Sequence, residues 1–281
     1  MTRRRDRPEI RVSILAIMIF QVCALFARVA LDRTLVGKGV DRSVSNDLSY
    51  LVVPPILTLL LYPYLRQHKD ALLSLLQLSR LTLRRAAFSI LLGLSMSVTY
   101  WAILTVLMWI GLVGNEDPNA IVGPIVNFGC PPLPMLMLSI VMMSLLVPIV
   151  EEVINRGLLL YSLLRRGTIV AVVISAILFA LMHKPGSYAV AFTVGLFLAA
   201  QALNSRTLWA PLLTHGAYNL AATIHWDCFQ IVWNPPVSDQ TLTAAAQVAA
   251  PVALAGVLLC CWLVSKKAIG ARTPRLPASS A

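Results

Sequence analysis

The stretch LLVPIVEEVINRGLLLY, from Leu145 to Tyr161, decides how this sequence is interpreted. It is apolar over most of its length, yet it holds two adjacent glutamates, Glu151 and Glu152, together with Arg156. A charged side chain at the centre of a bilayer costs about 2.5–3.5 kcal/mol on insertion scales. Glu152 and Arg156 are four residues apart, so a helix places them on one face, where an ion pair would offset that cost.

The composition around this stretch is that of a membrane protein. The chain is 281 residues long, with 58% hydrophobic and 12% charged residues, whereas soluble domains carry about 25% charged residues. Its apolar runs are continuous and do not alternate as the strands of an outer-membrane barrel do. The sequence therefore predicts an all-α fold, a polytopic bundle of transmembrane helices.

Eight apolar runs predict the membrane spans. They cover residues 10–31, 48–65, 86–113, 133–164, 168–184, 188–204, 207–224 and 245–264. With both termini in the cytoplasm, seventeen Lys and Arg residues fall in cytoplasmic segments and four fall outside, as the positive-inside rule requires. We expect an integral, multi-pass protein of a bacterial cytoplasmic membrane with cytoplasmic termini.

The net charge of +11 raises the possibility of nucleic-acid binding. The basic residues, however, collect in short loops beside the apolar runs, where they orient membrane helices. We therefore expect the lipid bilayer as a partner and no nucleic acid.

Three regions divide the chain. Residues 1–132 form an N-terminal membrane region of about three spans, residues 133–224 hold the buried polar groups, and residues 225–281 form an outer loop, the last span and a basic cytoplasmic tail. Within the first region, the leucines of segment 66–85 recur at helical spacing between basic residues. This pattern predicts an amphipathic helix on the cytoplasmic membrane face, although a solvated connector has the same composition.

The five cysteines show no zinc-ligand spacing. Cys130 and Cys228 both fall in segments predicted outside, where they can form a disulfide or remain free thiols.

The polar residues of the fourth to seventh spans point to one site. Besides Glu151, Glu152 and Arg156, they include His183, His215 and Asn219. Counted from the cytoplasmic ends at 1.5 Å per residue, Glu151 lies about 21 Å deep, His183 about 22 Å and Asn219 about 18 Å. His215 lies about 12 Å deep and shares a helix face with Asn219. These side chains can therefore meet at one level in a bundle.

Such a group of side chains is suited to hydrolysis. A glutamate helped by a histidine can deprotonate water for attack on a carbonyl. A histidine and an asparagine can donate hydrogen bonds to the resulting oxyanion. The alternative is a divalent metal such as zinc on Glu151, His183 and His215, but the spacing is not that of HExxH. We favour the reading without a metal or other cofactor.

The motifs resemble those of a known family. EEVINR (151–156), FALMH (179–183) and HGAYN (215–219) are similar to the EExxxR, FxxxH and HxxxN motifs of the CAAX protease and bacteriocin-processing family of intramembrane endopeptidases, also called CPBP or Abi. The resemblance covers roughly Leu133 to Ile224, so residues 133–224 are expected to be a CPBP-like catalytic core. The substrate implied is a membrane-anchored or lipid-modified protein.

The resemblance also implies a role for each motif residue. Glu151 would activate water with help from His183, Glu152 would support the site and pair with Arg156, and His215 with Asn219 would form the oxyanion hole.

Several alternatives stay open on the sequence alone. Buried acids also suit a proton- or cation-coupled secondary transporter, and a non-catalytic immunity or scaffold protein of the same fold has the same span pattern. Phe179 is interpreted as packing, with shaping of the pocket as the alternative. His225 is a rival ligand or base, although its place beside Trp226 favours the membrane interface.

Overall fold

The computed structural model describes residues 10–40, 42–110, 132–183, 187–223 and 239–270, and within these ranges all regular structure is helical. The ten helices are α1 (Ile14–Gly37), α2 (Arg42–Tyr50), α3 (Val53–Gln67), α4 (Lys69–Leu75), α5 (Leu83–Trp109), α6 (Leu133–Arg166), α7 (Thr168–Leu181), α8 (Tyr188–Ser205), α9 (Trp209–Thr223) and α10 (Asp239–Gly270). The predicted all-α helical fold is confirmed.

Membrane-spanning length is reached by five helices of the described residues. They are α1, the stretch Leu48–Gln67, α5, α6 and α8. The apolar helix α7 has 14 residues, which at 1.5 Å per residue gives about 21 Å, shorter than a hydrocarbon core of ~30 Å. Each of the eight predicted spans carries a helix, but the count of eight crossings and the cytoplasmic termini stay predictions.

Helix α6 changes its winding on both sides of the two glutamates. A π-helical segment over Met142–Leu146 precedes the α-helical turns Val147–Glu152, and a second π-helical segment over Val153–Leu160 follows them. Pro148 lies in the interior of α6, two residues after the first π-helical segment ends, where its missing N–H removes a backbone hydrogen bond of the helix. π-helical segments are rare, and they occur often at functional sites because they redirect side chains and expose carbonyl groups.

Small residues bring the helices of the core into close contact. Helix α5 packs along α9 and α10, and α7 packs along α8. A β-carbon added to Gly93 of α5 would collide with the Thr214 carbonyl oxygen of α9. A β-carbon added to Gly216 of α9 would collide with the carbonyl oxygen of Ser144 in the first π-helical segment of α6. Such contacts let membrane helices approach through their backbones.

We predict that Gly216→Ala separates α9 from α6 and lowers both stability and activity. The new methyl group meets a backbone oxygen, which cannot turn away as a side chain can, and overpacking of this kind costs about 1–3 kcal/mol. Thermal unfolding of the purified variant measures the loss. Gly37→Ala is the matched control, because nothing lies within 4 Å of a β-carbon there; equal melting temperatures for the two variants would contradict the prediction.

Segment 66–85 is not one continuous helix, and its place on the cytoplasmic membrane face stays a prediction. This segment contains the end of α3, the short helix α4, a 3₁₀ turn at Leu78–Arg80 and the start of α5. Leu72 and Leu75 of α4 are buried and belong to the same apolar core as the second π-helical segment of α6. Leu72 and Leu75 therefore pack against the protein, whereas Leu73 and Leu78 of the same segment are exposed.

Hydrogen bonds hold the end of α4 against the start of α9. The carbonyl oxygen of Leu75 accepts from the Thr207 hydroxyl at 2.9 Å and from the Leu208 N–H at 2.9 Å. The indole N–H of Trp209 donates to the Leu76 carbonyl at 2.7 Å. The position of Trp209 near the end of a span predicts a membrane anchor. Its hydrogen bond to Leu76 also connects α9 with the end of α4.

Some predictions concern residues outside the described ranges. These are the Cys130–Cys228 disulfide, the interfacial place of His225, and most of the outer loop and tail in the third region. They stay predictions, as do the boundaries of the three regions.

Candidate active site

The contact between α6 and α9 brings both glutamates to one imidazole. The Nδ1 atom of His215 lies 2.9 Å from Oε1 of Glu152, and its Nε2 atom lies 3.7 Å from Oε2 of Glu151. A carboxylate can only accept, so Nδ1 donates to Glu152. The 3.7 Å separation at Nε2 is too long for a hydrogen bond.

The predicted ion pair between Glu152 and Arg156 is confirmed. Nη1 of Arg156 donates to Oε1 of Glu152 at 3.1 Å, and both side chains have no exposed surface. The same guanidinium reaches α8 through a 3.4 Å bond from Nη2 to the Gly195 carbonyl. Oε1 of Glu152 therefore accepts from two donors, Arg156 and His215, which compensates its charge in a buried position.

Exposure separates the two carboxylates. The side chain of Glu151 is 25% exposed, whereas those of Glu152 and His215 are 0% and 3% exposed. Part of the Glu151 carboxylate is therefore accessible from outside the protein, while Glu152 is fully buried beside Arg156. This difference in environment is of the kind that gives two neighbouring carboxylates different roles.

Phe179 connects the second motif to the first and third. Its ring centroid lies 4.7 Å from that of His183 and 5.7 Å, edge-on, from that of His215. The guanidinium carbon of Arg156 lies 4.2 Å from the Phe179 ring centroid, in a cation–π contact. The packing interpretation is confirmed, and the ring additionally lies against three polar site residues. In the sequence, the position of Phe179 as the first residue of the FALMH motif indicated a place near the site.

A backbone bond defines the tautomer of His183. Its Nδ1 atom lies 2.9 Å from the Phe179 carbonyl oxygen, and a carbonyl can only accept, so Nδ1 carries a proton. In the neutral imidazole Nε2 is then the acceptor. His183 can therefore accept a hydrogen bond from water through Nε2.

Asn219 lies against the first π-helical segment. Its amide nitrogen donates to the Met143 carbonyl at 2.9 Å, which orients the carboxamide from the backbone of α6. Going along α9 from His215 through Gly216 to Asn219, the partners on α6 run backwards from Glu152 through Ser144 to Met143. The two helices are thus antiparallel in this contact, and the winding of α6 determines where both α9 side chains meet it.

The structure therefore joins the predicted residues in two ways. Glu151, Glu152, Arg156 and His215 form a direct cluster, whereas His183 reaches it through Phe179 and Asn219 lies one helical turn beyond His215. Sequence reasoning missed Gly216, whose lack of a β-carbon allows the close approach of α9 to α6. Its place directly after His215 in HGAYN was the available signal.

The metal alternative on Glu151, His183 and His215 requires these three side chains to converge on one point. Among the residues that the structure describes, no group of three His, Cys, Asp or Glu side chains is arranged to hold a metal ion. Nδ1 of His215 donates to Glu152 and Nδ1 of His183 donates to a carbonyl. These bonds leave Nε2 of both rings for a ligand, as in histidines that bind a metal. A catalytic zinc centre needs three converging protein ligands; the described side chains do not converge in this way, and the metal-free reading stays a prediction.

A family comparison agrees with the motif geometry. Residues 133–221 match the family model described as Type II CAAX prenyl endopeptidase Rce1-like. The segment is Rce1-like. This Rce1-like segment holds α6, α7, α8 and most of α9, including every predicted site residue, and it supports the resemblance to the CPBP family. No curated protein matches the chain, and no solved structure matches it.

The Rce1-like segment and the apolar helices together define the protein in outline. It is an integral membrane protein of helical architecture that carries a segment similar to a membrane protease family. Helices α1 to α5 and α10 lie outside the matched residues.

Proposed function

We propose that the protein is an integral-membrane endopeptidase that hydrolyses a peptide bond of a membrane-associated protein. The observation that carries the proposal is the contact of one imidazole, His215, with both glutamates inside the Rce1-like segment. The substrate is a membrane-anchored or lipid-modified protein, and the enzyme lies in a bacterial cytoplasmic membrane with both termini in the cytoplasm.

Glu151 acts as the general base. It is the partly exposed carboxylate of the pair, as the residue that receives a water molecule must be. Glu151 takes a proton from this water while the oxygen attacks the peptide carbonyl carbon, and Nε2 of His183 accepts the second hydrogen bond of the water. The C–N bond then breaks, and Glu151 passes its proton to the leaving amine.

His215 and Asn219 stabilise the oxyanion. Nδ1–H of His215 donates to Glu152, so Nε2 donates to the oxyanion in the form of the ring that carries a proton on both nitrogens. Nε2 lies 3.7 Å from Glu151 and has no partner within hydrogen-bond distance among the described residues. A carboxamide nitrogen carries two N–H groups, and the bond to Met143 keeps that of Asn219 in place. Donors of this kind contribute about 3–4 kcal/mol to the stabilisation of a tetrahedral intermediate. Glu152 orients His215 by accepting from its Nδ1–H, and Arg156 fixes Glu152 through their ion pair.

Reconstitution into liposomes tests the proposal. Membrane proteomes of cells with and without the protein identify proteins whose processing depends on it, and a purified candidate is then incubated with the proteoliposomes. We expect cleavage at one bond near or within the membrane, seen as a new terminus by mass spectrometry. Proton or cation flux without cleavage would favour the transporter, and neither activity would favour the non-catalytic protein.

We also predict that metal chelation leaves cleavage unchanged. The proposed chemistry uses side chains alone, and the described residues do not form a three-ligand site. The measurement is the initial rate of cleavage before and after incubation with 1,10-phenanthroline and EDTA, with a zinc metalloprotease inactivated in parallel. A loss of activity that added zinc restores would contradict the metal-free mechanism.

A further inference from the structure

A buried amide in α1 lies outside the Rce1-like segment and yet reaches it. Gln21 is in the middle of an apolar helix and is only 4% exposed. Burying a carboxamide without a partner is costly, and polar residues inside membrane helices are commonly functional. Sequence reasoning passed over it because one glutamine interrupts an apolar run very little.

Two hydrogen bonds connect Gln21 with the backbone of Glu151. Nε2 of Gln21 donates to Oδ1 of Asn155 at 3.3 Å, and Nδ2 of Asn155 donates to the carbonyl oxygen of Glu151 at 2.9 Å. The carbonyl of Asn155 in turn accepts from the Ser175 hydroxyl of α7 at 3.1 Å. Asn155, itself 1% exposed, is therefore held from α1 and α7 and holds the residue that carries the base.

The position of Glu151 depends on this support more than that of Glu152 does. Glu152 is fixed by Arg156 and His215, whereas the nearest charged or imidazole partner of the Glu151 carboxylate among the described residues is Nε2 of His215, at 3.7 Å. Asn155 lies in the π-helical segment that begins two residues after Glu151, and π-helical winding is less favourable than α-helical winding. An external hydrogen bond to this segment thus determines how the preceding turn is oriented.

We propose that Gln21 is a positioning residue for Glu151 and acts through Asn155. The inference rests on the proposed function, in which Glu151 is the base that activates water. A displacement of about 1 Å in a reacting group can lower a rate by up to ~100-fold. α1 is then part of the catalytic unit although it lies outside the residues that the family model matches.

The first test measures kinetics of near-isosteric variants in proteoliposomes. Gln21→Met and Asn155→Leu remove the hydrogen bonds and keep most of the volume. We expect kcat to fall about tenfold in each with KM unchanged, since the loss concerns the position of the base. The kcat of the double variant should be no lower than that of the less active single variant, because both substitutions break the same connection.

Gln201→Met is the matched control. Gln201 is a buried amide of α8 that donates to the Ser89 hydroxyl at 3.0 Å. The substitution removes only this side-chain bond and leaves the Ser89 carbonyl, which accepts from Thr214 of α9, in place. The control should melt at the same temperature as Gln21→Met and keep the wild-type kcat. An equal fall in kcat for Gln201→Met and Gln21→Met would overturn the proposal, since any lost buried amide would then have that effect.

A second readout does not need catalysis. Dicyclohexylcarbodiimide modifies carboxylates in apolar surroundings, and mass spectrometry gives its rate of reaction at Glu151. We expect that rate to change several-fold in Gln21→Met and Asn155→Leu and to stay unchanged in Gln201→Met. Should Gln21→Met fail to fold, Gln21→Asn replaces it, because the shorter amide no longer reaches Asn155.

The two proposals fail separately. If the wild type cleaves its substrate and Gln21→Met matches it in both kcat and labelling rate, the positioning role is overturned and the proposed function stands. If the wild type cleaves nothing, the proposed function fails, and the labelling rate at Glu151 still supports or overturns the connection from α1.

Discussion

Glu151→Gln is expected to lower kcat about 10³-fold or more, since general acid–base catalysis contributes up to ~10⁴-fold. The amide has the same shape and cannot take a proton from water. Glu151 is partly exposed and makes no short ion pair, whereas the buried Glu152–Arg156–His215 contacts stay complete. The melting temperature should therefore stay close to the wild-type value. Single-turnover cleavage in proteoliposomes measures the fall in rate. Thermal unfolding of the purified variant and wild type in one detergent measures the melting temperatures.

The matched control for this variant is Asp70→Asn. It makes the same change of carboxylate to amide on the exposed surface of α4, and we expect wild-type kinetics. Wild-type cleavage by Glu151→Gln would refute the role of Glu151 as base. A variant that loses activity only because it unfolds would show a melting temperature far below that of Asp70→Asn.

Arg156→Met is expected to destabilise the protein by about 3–5 kcal/mol, because it leaves a buried carboxylate without its countercharge. Glu152 and Arg156 are both fully buried and 3.1 Å apart. The substitution also removes the bond to the Gly195 carbonyl and the cation–π contact with Phe179. Denaturant unfolding in mixed micelles measures the free energy of unfolding.

Two further variants show that charge is the cause. Arg84→Met makes the same substitution at an exposed position of α5 and should cost less than about 0.5 kcal/mol. Adding Glu152→Gln to Arg156→Met removes the uncompensated charge and should restore part of the lost stability without restoring activity. If the double variant is less stable than Arg156→Met, the loss comes from packing and the electrostatic account is wrong.

Phe179 illustrates how the site is kept rigid without further charges. One phenyl ring lies against the guanidinium of Arg156 and the imidazoles of His183 and His215. Aromatic contacts of this geometry add about 0.5–1.5 kcal/mol each beyond burial. The second motif thus reaches the first and third through an apolar side chain, which is why the spacing of charged residues alone did not reveal how His183 joins the cluster.

The sequence by itself determined the helical membrane fold, the ion pair of Glu152 with Arg156 and the segment that carries the site. These follow from apolar run length and from the helical repeat between residues four apart, which depend only on local chain geometry. Segment 66–85 shows the limit of this reasoning: its leucines repeat as in one helix, but the segment is divided into several elements, with Leu72 and Leu75 in the protein core and Leu73 and Leu78 exposed.

Only the tertiary structure decided how the side chains meet. A 3.6-residue repeat cannot locate the two π-helical segments of α6, and these segments set the positions of Met143 and Ser144 against α9 and of Asn155 against α1. Glu151 and Glu152 are adjacent in sequence, yet the side chain of Glu152 is buried and that of Glu151 is partly exposed. That difference comes from helices distant along the chain, because desolvation and hydrogen bonding depend on what surrounds a group in space.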